Sequence, residues 1–169
     1  MPDTIILVDN NDAEVGTMDK LEAHQKGLLH RAFSILILND TGKILLQQRA
    51  ANKYHSANLW TNSCCSHPRP GETVVQTGQR RLFEEMGINC DLKEIGSFLY
   101  KHRFENGLTE HEYDHVLIGT HEGDPMPNPV EVQDYKWISP KALKEEMQLN
   151  PAKFTYWFAK ALKALEQNG

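Results

Sequence analysis

The chain has 169 residues, 40% of them hydrophobic and 24% charged, which suits a single globular domain over 1–169 with a core of its own. A net charge of -5 argues against a general nucleic-acid binder, because such domains present a basic face. No apolar run approaches the roughly 18 residues that span a bilayer, the first nine residues lack a secretory pattern, and three cysteines make no disulfide framework; the expectation is a reduced, cytoplasmic domain with no membrane partner.

In chain order, Ile5 to Val8 reads as a short strand and Asn10-Asn11-Asp12 as a turn. Lys20 to Gln25 reads as a helical turn. Arg31 to Leu38, rich in Ile and Leu, has the character of a buried strand. Asn39-Asp40-Thr41-Gly42 is a hairpin turn, and Lys43 to Gln48 returns as the partner strand. Thr73 is an N-cap for a helix to Met86, which Gly87 ends. Strands are expected near 92–104, 112–120 and 135–138. Ser139-Pro140 and Asn150-Pro151 each pair an N-cap with Pro at the first helical position. The second of these helices would carry Phe154, Phe158, Ala161 and Leu165 as its apolar stripe. The order predicts an α/β sandwich, a mixed sheet flanked by helices.

Chemistry concentrates in two places. From Ser66 the chain reads S-x5-E-x7-R-R-L-x-E-E-x-G-I, through Glu72, Arg80, Arg81, Leu82, Glu84, Glu85, Gly87 and Ile88. Arg81 and Glu85 share a helix face, which alone would be an ordinary surface ion pair. Glu110 and Glu112 alternate on a strand, so both carboxylates project from one face. Such a pair is often no more than a polar face. Just before the spacing stands Thr61-Asn62-Ser63-Cys64-Cys65-Ser66-His67-Pro68.

The spacing resembles the Nudix signature G-x5-E-x7-R-E-U-x-E-E-x-G-U, where U is bulky and apolar. Two positions depart from it: Ser66 replaces the first Gly and Arg81 replaces the Glu of the R-E pair. With Cys65 beside it, the chain is similar over most of its length to the type I isopentenyl-diphosphate isomerases of the Nudix superfamily. The resemblance implies a Nudix-type α/β sandwich and an isomerase of isoprenoid biosynthesis. It would move the double bond of isopentenyl diphosphate to give dimethylallyl diphosphate, through a tertiary carbocation. The lost Glu argues against hydrolysis, since an Arg neither binds metal nor activates water.

The resemblance also implies roles. Glu85 would serve Mg²⁺ on the substrate diphosphate, because Mg²⁺ takes a carboxylate or two plus phosphate oxygens. Arg81, Lys20, Arg49 and Lys53 would bind the diphosphate. His24, His30, His67, Glu110 and Glu112 would hold a second cation, Mn²⁺, Zn²⁺ or Mg²⁺. Glu112 with Tyr100 would stand on the acid side, and Cys65 would be the base, as thiolate. Trp157, rather than Trp60, would face the cation. His55, His102, His111, His115 and His121 are read as structural or surface residues, Cys64 as packing and Cys90 as core. Ser66 and His102 depart from the usual small residues at their positions. Two other readings stay open: a Nudix diphosphohydrolase, and a catalytically silent diphosphate-binding module. Oligomeric state, monomer or dimer, is open as well.

Overall fold

The computed structural model describes residues 3–53 and 55–168. Nine strands form one mixed sheet: β1 (Thr4–Val8), β2 (Glu14–Asp19), β3 (His30–Leu38), β4 (Ile44–Arg49), β5 (Trp60–Thr61), β6 (Cys64–Ser66), β7 (Lys93–Arg103), β8 (Thr109–Thr120) and β9 (Val132–Ile138). Four α-helices accompany it: α1 (Lys20–Lys26), α2 (Val74–Met86), α3 (Pro140–Leu149) and α4 (Phe158–Asn168).

The apolar run of β3 is the axis of the sheet. β8 runs parallel along all of it, from His30↔Glu112 to Leu38↔Thr120. β1, β6 and β4 pair with it antiparallel at His30, at Phe33–Ile35 and at Leu38 in turn. Both faces of β3 are buried, which is why its sequence is nearly continuous Ile and Leu instead of alternating. On one face Phe33, Ile35, Leu45, Cys64 and Leu117 pack against Leu82 and Met86 of α2. On the other, Leu36, Ile44, Leu46 and Val116 pack against Leu143 of α3 and Phe158 and Ala161 of α4. The α/β sandwich read from the sequence is the fold observed.

Local signals explain most boundaries. Thr73 accepts from Gln76 N and the Gln76 side chain answers to Thr73 N, a capping box that starts α2. Gly87 ends it at φ 68°, a left-handed conformation that Gly adopts without a Cβ penalty. Ser139 caps α3 ahead of Pro140 as expected.

Asn150-Pro151 behaves differently. It leads only into a short 3-10 turn, Pro151–Lys153, with no side-chain cap, and Phe154 is extended. The segment is drawn to the sheet instead: Phe154 bridges to Trp60, Thr155 N donates to Trp60 O at 3.0 Å, and the Thr61 and Thr155 hydroxyls lie 2.8 Å apart. α4 therefore starts at Phe158, and Phe154 reaches the same core from outside the helix. Strands β2, β5 and β6 were not anticipated; β5 and β6 are too short to show a period.

Candidate active site

β8 supplies the floor of the site. Glu110, Glu112 and Asp114 alternate along it and all three are buried on one face. Register then builds a row across three strands, Tyr100 on β7, Glu112 on β8 and His30 on β3. His24 comes from the end of α1, where its Nδ1 lies 2.7 Å from Lys20 O, and His67 from the chain just after β6. The ring centroids of His24 and His30 are 5.0 Å apart, and those of His30 and His67 also 5.0 Å. Six residues of separation do not unite His24 and His30 on a helix; the turn after α1 does.

The donor set fits a divalent cation. Ligand atoms of His24, His30, His67 and Glu112 lie within 4.8 Å of one another. His67 Nε2 is 3.1 Å and His30 Nε2 3.5 Å from Glu112 Oε2. Among the described residues, His30 Nε2 and Glu110 Oε1 are buried without a hydrogen-bond partner. A buried imidazole nitrogen and a buried carboxylate oxygen left without partners in a His/Glu cluster are what a cation would satisfy. Burial works against the Glu112 carboxylate, yet the neighbouring His30 and His67 imidazoles hold its pKa well below the ordinary range. Burial, joined by the nearby His30, pushes His67 down to about 4.

The paired cysteines part company. Strand alternation in β6 sends Cys64 to the α2 face, where it is fully buried 3.5 Å from Glu85 Oε1. Cys65 points to the opposite face, opposite Ser34 in register. Its Sγ lies 3.1 Å from Asn62 Oδ1 and accepts from Trp157 Nε1 at 3.1 Å. Burial, with Asp114 adding to it, pushes the Cys65 thiol up to about 12. The Trp157 ring also stands 6.2 Å from that of Tyr100, so the indole neighbours both thiol and phenol. Burial and then Glu110 and Glu112 raise the Tyr100 pKa, and its buried hydroxyl has no hydrogen-bond partner among the described residues.

One cavity of about 200 Å³ joins these groups to the cations. Its walls include Cys65, His67, Glu110, Glu112 and Trp157 together with Lys20, Arg49, Lys53, Arg69, Arg80 and Arg81. Glu85 is buried on α2, with Arg81 Nη2 at 2.5 Å and Gln47 Nε2 at 3.1 Å. Arg81 also donates to Glu84 at 2.7 Å. Glu72 accepts from Arg69 N, Thr77 and Arg80, which ties the loop to the helix. Burial lowers the Lys20 pKa, Asp3 opposes, and the neighbouring Lys53 and Arg49 lower it further. Glu131 forms ion pairs with Lys53 and Arg81. Trp60 stands away from this cavity, under Lys136 Nζ at 4.6 Å.

Several site residues escaped the sequence. His55 was read as structural or surface; it is buried against Glu110. Asp114 extends the alternation of Glu110 and Glu112 by one step, a signal that was available. Glu131 offers none, and Asn62 stands in the motif around Cys65 without a role of its own. His102 lies outside the cluster, stacked on Tyr156 at 3.6 Å, and His115 bridges Asp12 and Glu94.

The NUDIX domain family matches residues 28–158. The chain is 48% identical to an isopentenyl-diphosphate Delta-isomerase 2 of Aromatoleum aromaticum, over 96% of this chain and 86% of that one. It is 48% identical to an isopentenyl-diphosphate Delta-isomerase of Serratia proteamaculans, over 99% and 94%. In fold it is similar to DR0079 of Deinococcus radiodurans, with a TM-score of 0.78 at 17% identity over 95% and 98% of the chains. A MutT protein of Methanosarcina mazei aligns with a TM-score of 0.67 at 19% identity over 82% and 94%.

Proposed function

The chain belongs to the isopentenyl-diphosphate Delta-isomerase family within the NUDIX domain proteins, and from that membership we propose that it interconverts isopentenyl and dimethylallyl diphosphate. The observation that carries the reading is the indole of Trp157, whose N–H meets the Cys65 sulfur and whose ring neighbours that of Tyr100, the cross-strand partner of Glu112. Moving an alkene by one position needs a proton delivered to C4 and another removed from C2. Acid and base must therefore face opposite sides of one small pocket, with an electron-rich ring at the carbon between them.

Lys20, Arg49, Lys53 and Arg81 hold the diphosphate, with Glu85 directed to its Mg²⁺. Tyr100 keeps its proton, because burial and two carboxylates disfavour the phenolate. Glu112 is its partner on the adjacent strand. The alkene electrons take at C4 the proton held by the Tyr100–Glu112 pair, which leaves that pair one proton short and C3 positive against Trp157. The C2–H electrons then form the new double bond, and the C2 proton goes to Cys65 Sγ, which takes it as the thiolate after its own proton has passed to solvent. Burial and Asp114 keep that sulfur protonated in the substrate-free pocket, while Arg49 and the Trp157 N–H pull towards thiolate. Positive charge at C3 pulls the same way. His24, His30, His67, Glu110 and Glu112 would hold the second cation, Mn²⁺, Zn²⁺ or Mg²⁺. When bound it supplies a fixed positive charge that keeps Glu112 oriented and ionised. The three cysteines are free, which fits a reducing, cytoplasmic compartment.

The test is isopentenyl diphosphate with Mg²⁺ in deuterated water, followed by NMR. Dimethylallyl diphosphate should form with the diphosphate whole, with deuterium in the methyl derived from C4. Phosphate release without alkene movement would restore the hydrolase, a reading that Arg81 opposes by filling the carboxylate position with a cation paired to Glu84 and Glu85. Binding with neither product would favour a silent module.

A further inference from the structure

His55 lies in the loop after β4 and is 7% exposed. Its Nε2 is 3.0 Å from Glu110 Oε2. The other oxygen of that carboxylate, Oε1, is buried with no hydrogen-bond partner among the described residues. The oxygen held by His55 also lies 3.9 Å from His24 Nε2, so the carboxylate stands at the histidine cluster with its second oxygen unanswered.

The ring is itself held on three sides. It lies flat on Phe104, with centroids 4.5 Å apart and planes 11° from parallel. Its Nδ1 lies 3.1 Å from the Ser56 hydroxyl. A hydroxyl donating to Nδ1 leaves the proton on Nε2, facing Glu110. The backbone is tethered too, since Arg49 Nη2 donates to His55 O at 3.3 Å. His55 groups with His24 and Glu110, while His30, His67 and Glu112 group with His24 without it.

We infer that His55 is a positioning residue of the cation site: its Nε2–H holds the Glu110 carboxylate in place beside His24. A carboxylate ligand with one oxygen anchored loses less freedom when it binds, and loss of such an outer partner weakens metal affinity roughly 10–100-fold. The inference rests on the proposed cation site and specifies how one of its ligands is oriented.

The experiment uses the full chain and Mn²⁺ alone, with free Mn²⁺ titrated by electron paramagnetic resonance. His55→Phe keeps a ring to stack on Phe104 and removes the donor; His55→Gln keeps an N–H. The Phe variant should bind Mn²⁺ roughly 10–100-fold more weakly, and the Gln variant should recover much of that loss. Electron spin echo modulation from imidazole nitrogen on the bound ion should be unchanged in His55→Phe and reduced in His67→Ala. If His55→Phe binds like the parent while His67→Ala is weakened, the positioning role is wrong and the cation site stands. Loss of nitrogen modulation in His55→Phe would make His55 a ligand and overturn the positioning role. Unchanged binding in His67→Ala overturns the cation site itself. Should His55→Phe fail to fold, His55→Met, without a donor, takes its place and must show the same loss.

Discussion

At the scale of residues, Cys64 and Cys65 show how one step along a strand decides a role. Cys64 packs under α2 beside Glu85, and Cys65 faces the indole of Trp157. Cys65→Ala should reduce turnover by at least about 10³-fold, the range in which proton-transfer groups contribute, with metal content unchanged. Cys64→Ala should keep substantial activity, at a stability loss of about 1 kcal/mol for a small buried side chain. Equal loss of turnover from both would put the wrong thiol in the mechanism. The same residue carries a pH signature, because its pKa is raised from the ordinary 9.0 to about 12. Between those values the native chain keeps a proton that the unfolded chain has lost. Its stabilising effect is therefore whole below about pH 9 and falls as pH rises. At about pH 10 the loss is roughly 1 kcal/mol, so thermal unfolding of Cys65→Ala should decline less steeply from about pH 8 to about pH 10 than that of the parent. Parallel declines would show that the thiol is not held protonated.

At the scale of elements, the carboxylate helix is positioned by how it ends. Gly87 turns left-handed, and the chain that follows donates from Met126 N to Met86 O and from Asn128 N to Glu85 O, both at 2.8 Å. A Cβ on Gly87 would lie 2.8 Å from Met126 Cβ and 3.0 Å from Met126 O. Gly87→Ala thus adds left-handed strain of about 1–2 kcal/mol to a clash with backbone. The expected total exceeds about 2 kcal/mol by denaturant unfolding, with a raised Mg²⁺ requirement because Glu85 shifts with its turn. An unchanged midpoint would mean that the Met126 segment yields freely. Helix α2 was legible from Thr73 to Gly87 because both caps are local chemistry. The start of α4 was not, because Asn150-Pro151 looks like a cap until the pairing of Phe154 and Thr155 with Trp60 captures the segment.

At the scale of the molecule, charge is divided against itself. The chain carries a net charge of -5, yet six Lys and Arg side chains line the cavity. Asp3, Glu85, Glu110, Glu112 and Glu131 share those walls, so the cations among them are what attract an anionic diphosphate, and salt screens that attraction over about 10 Å at 0.1 M. Raising ionic strength from about 0.05 M to about 0.5 M should therefore raise KM for the diphosphate several-fold and leave kcat nearly unchanged. A kcat that falls in step with binding would place the salt effect on the chemistry.

The fold class, the α2 spacing from Glu72 to Ile88 and the alternation of Glu110 and Glu112 are legible in the chain, because caps, helical period and strand period act over a few neighbouring residues. Its resemblance to a known family named a set of residues that includes His24, His30, His67 and Tyr100, without local reason for their meeting. How they meet depends on packing across the sheet. The register His30↔Glu112↔Tyr100 is set by packing both faces of β3, and the turn after α1 brings His24 to His30. His55 and Glu131 were illegible for the same reason: each acts through a partner 55 or 78 positions away, Glu110 or Lys53, and no local pattern records a contact made only when the sheet closes.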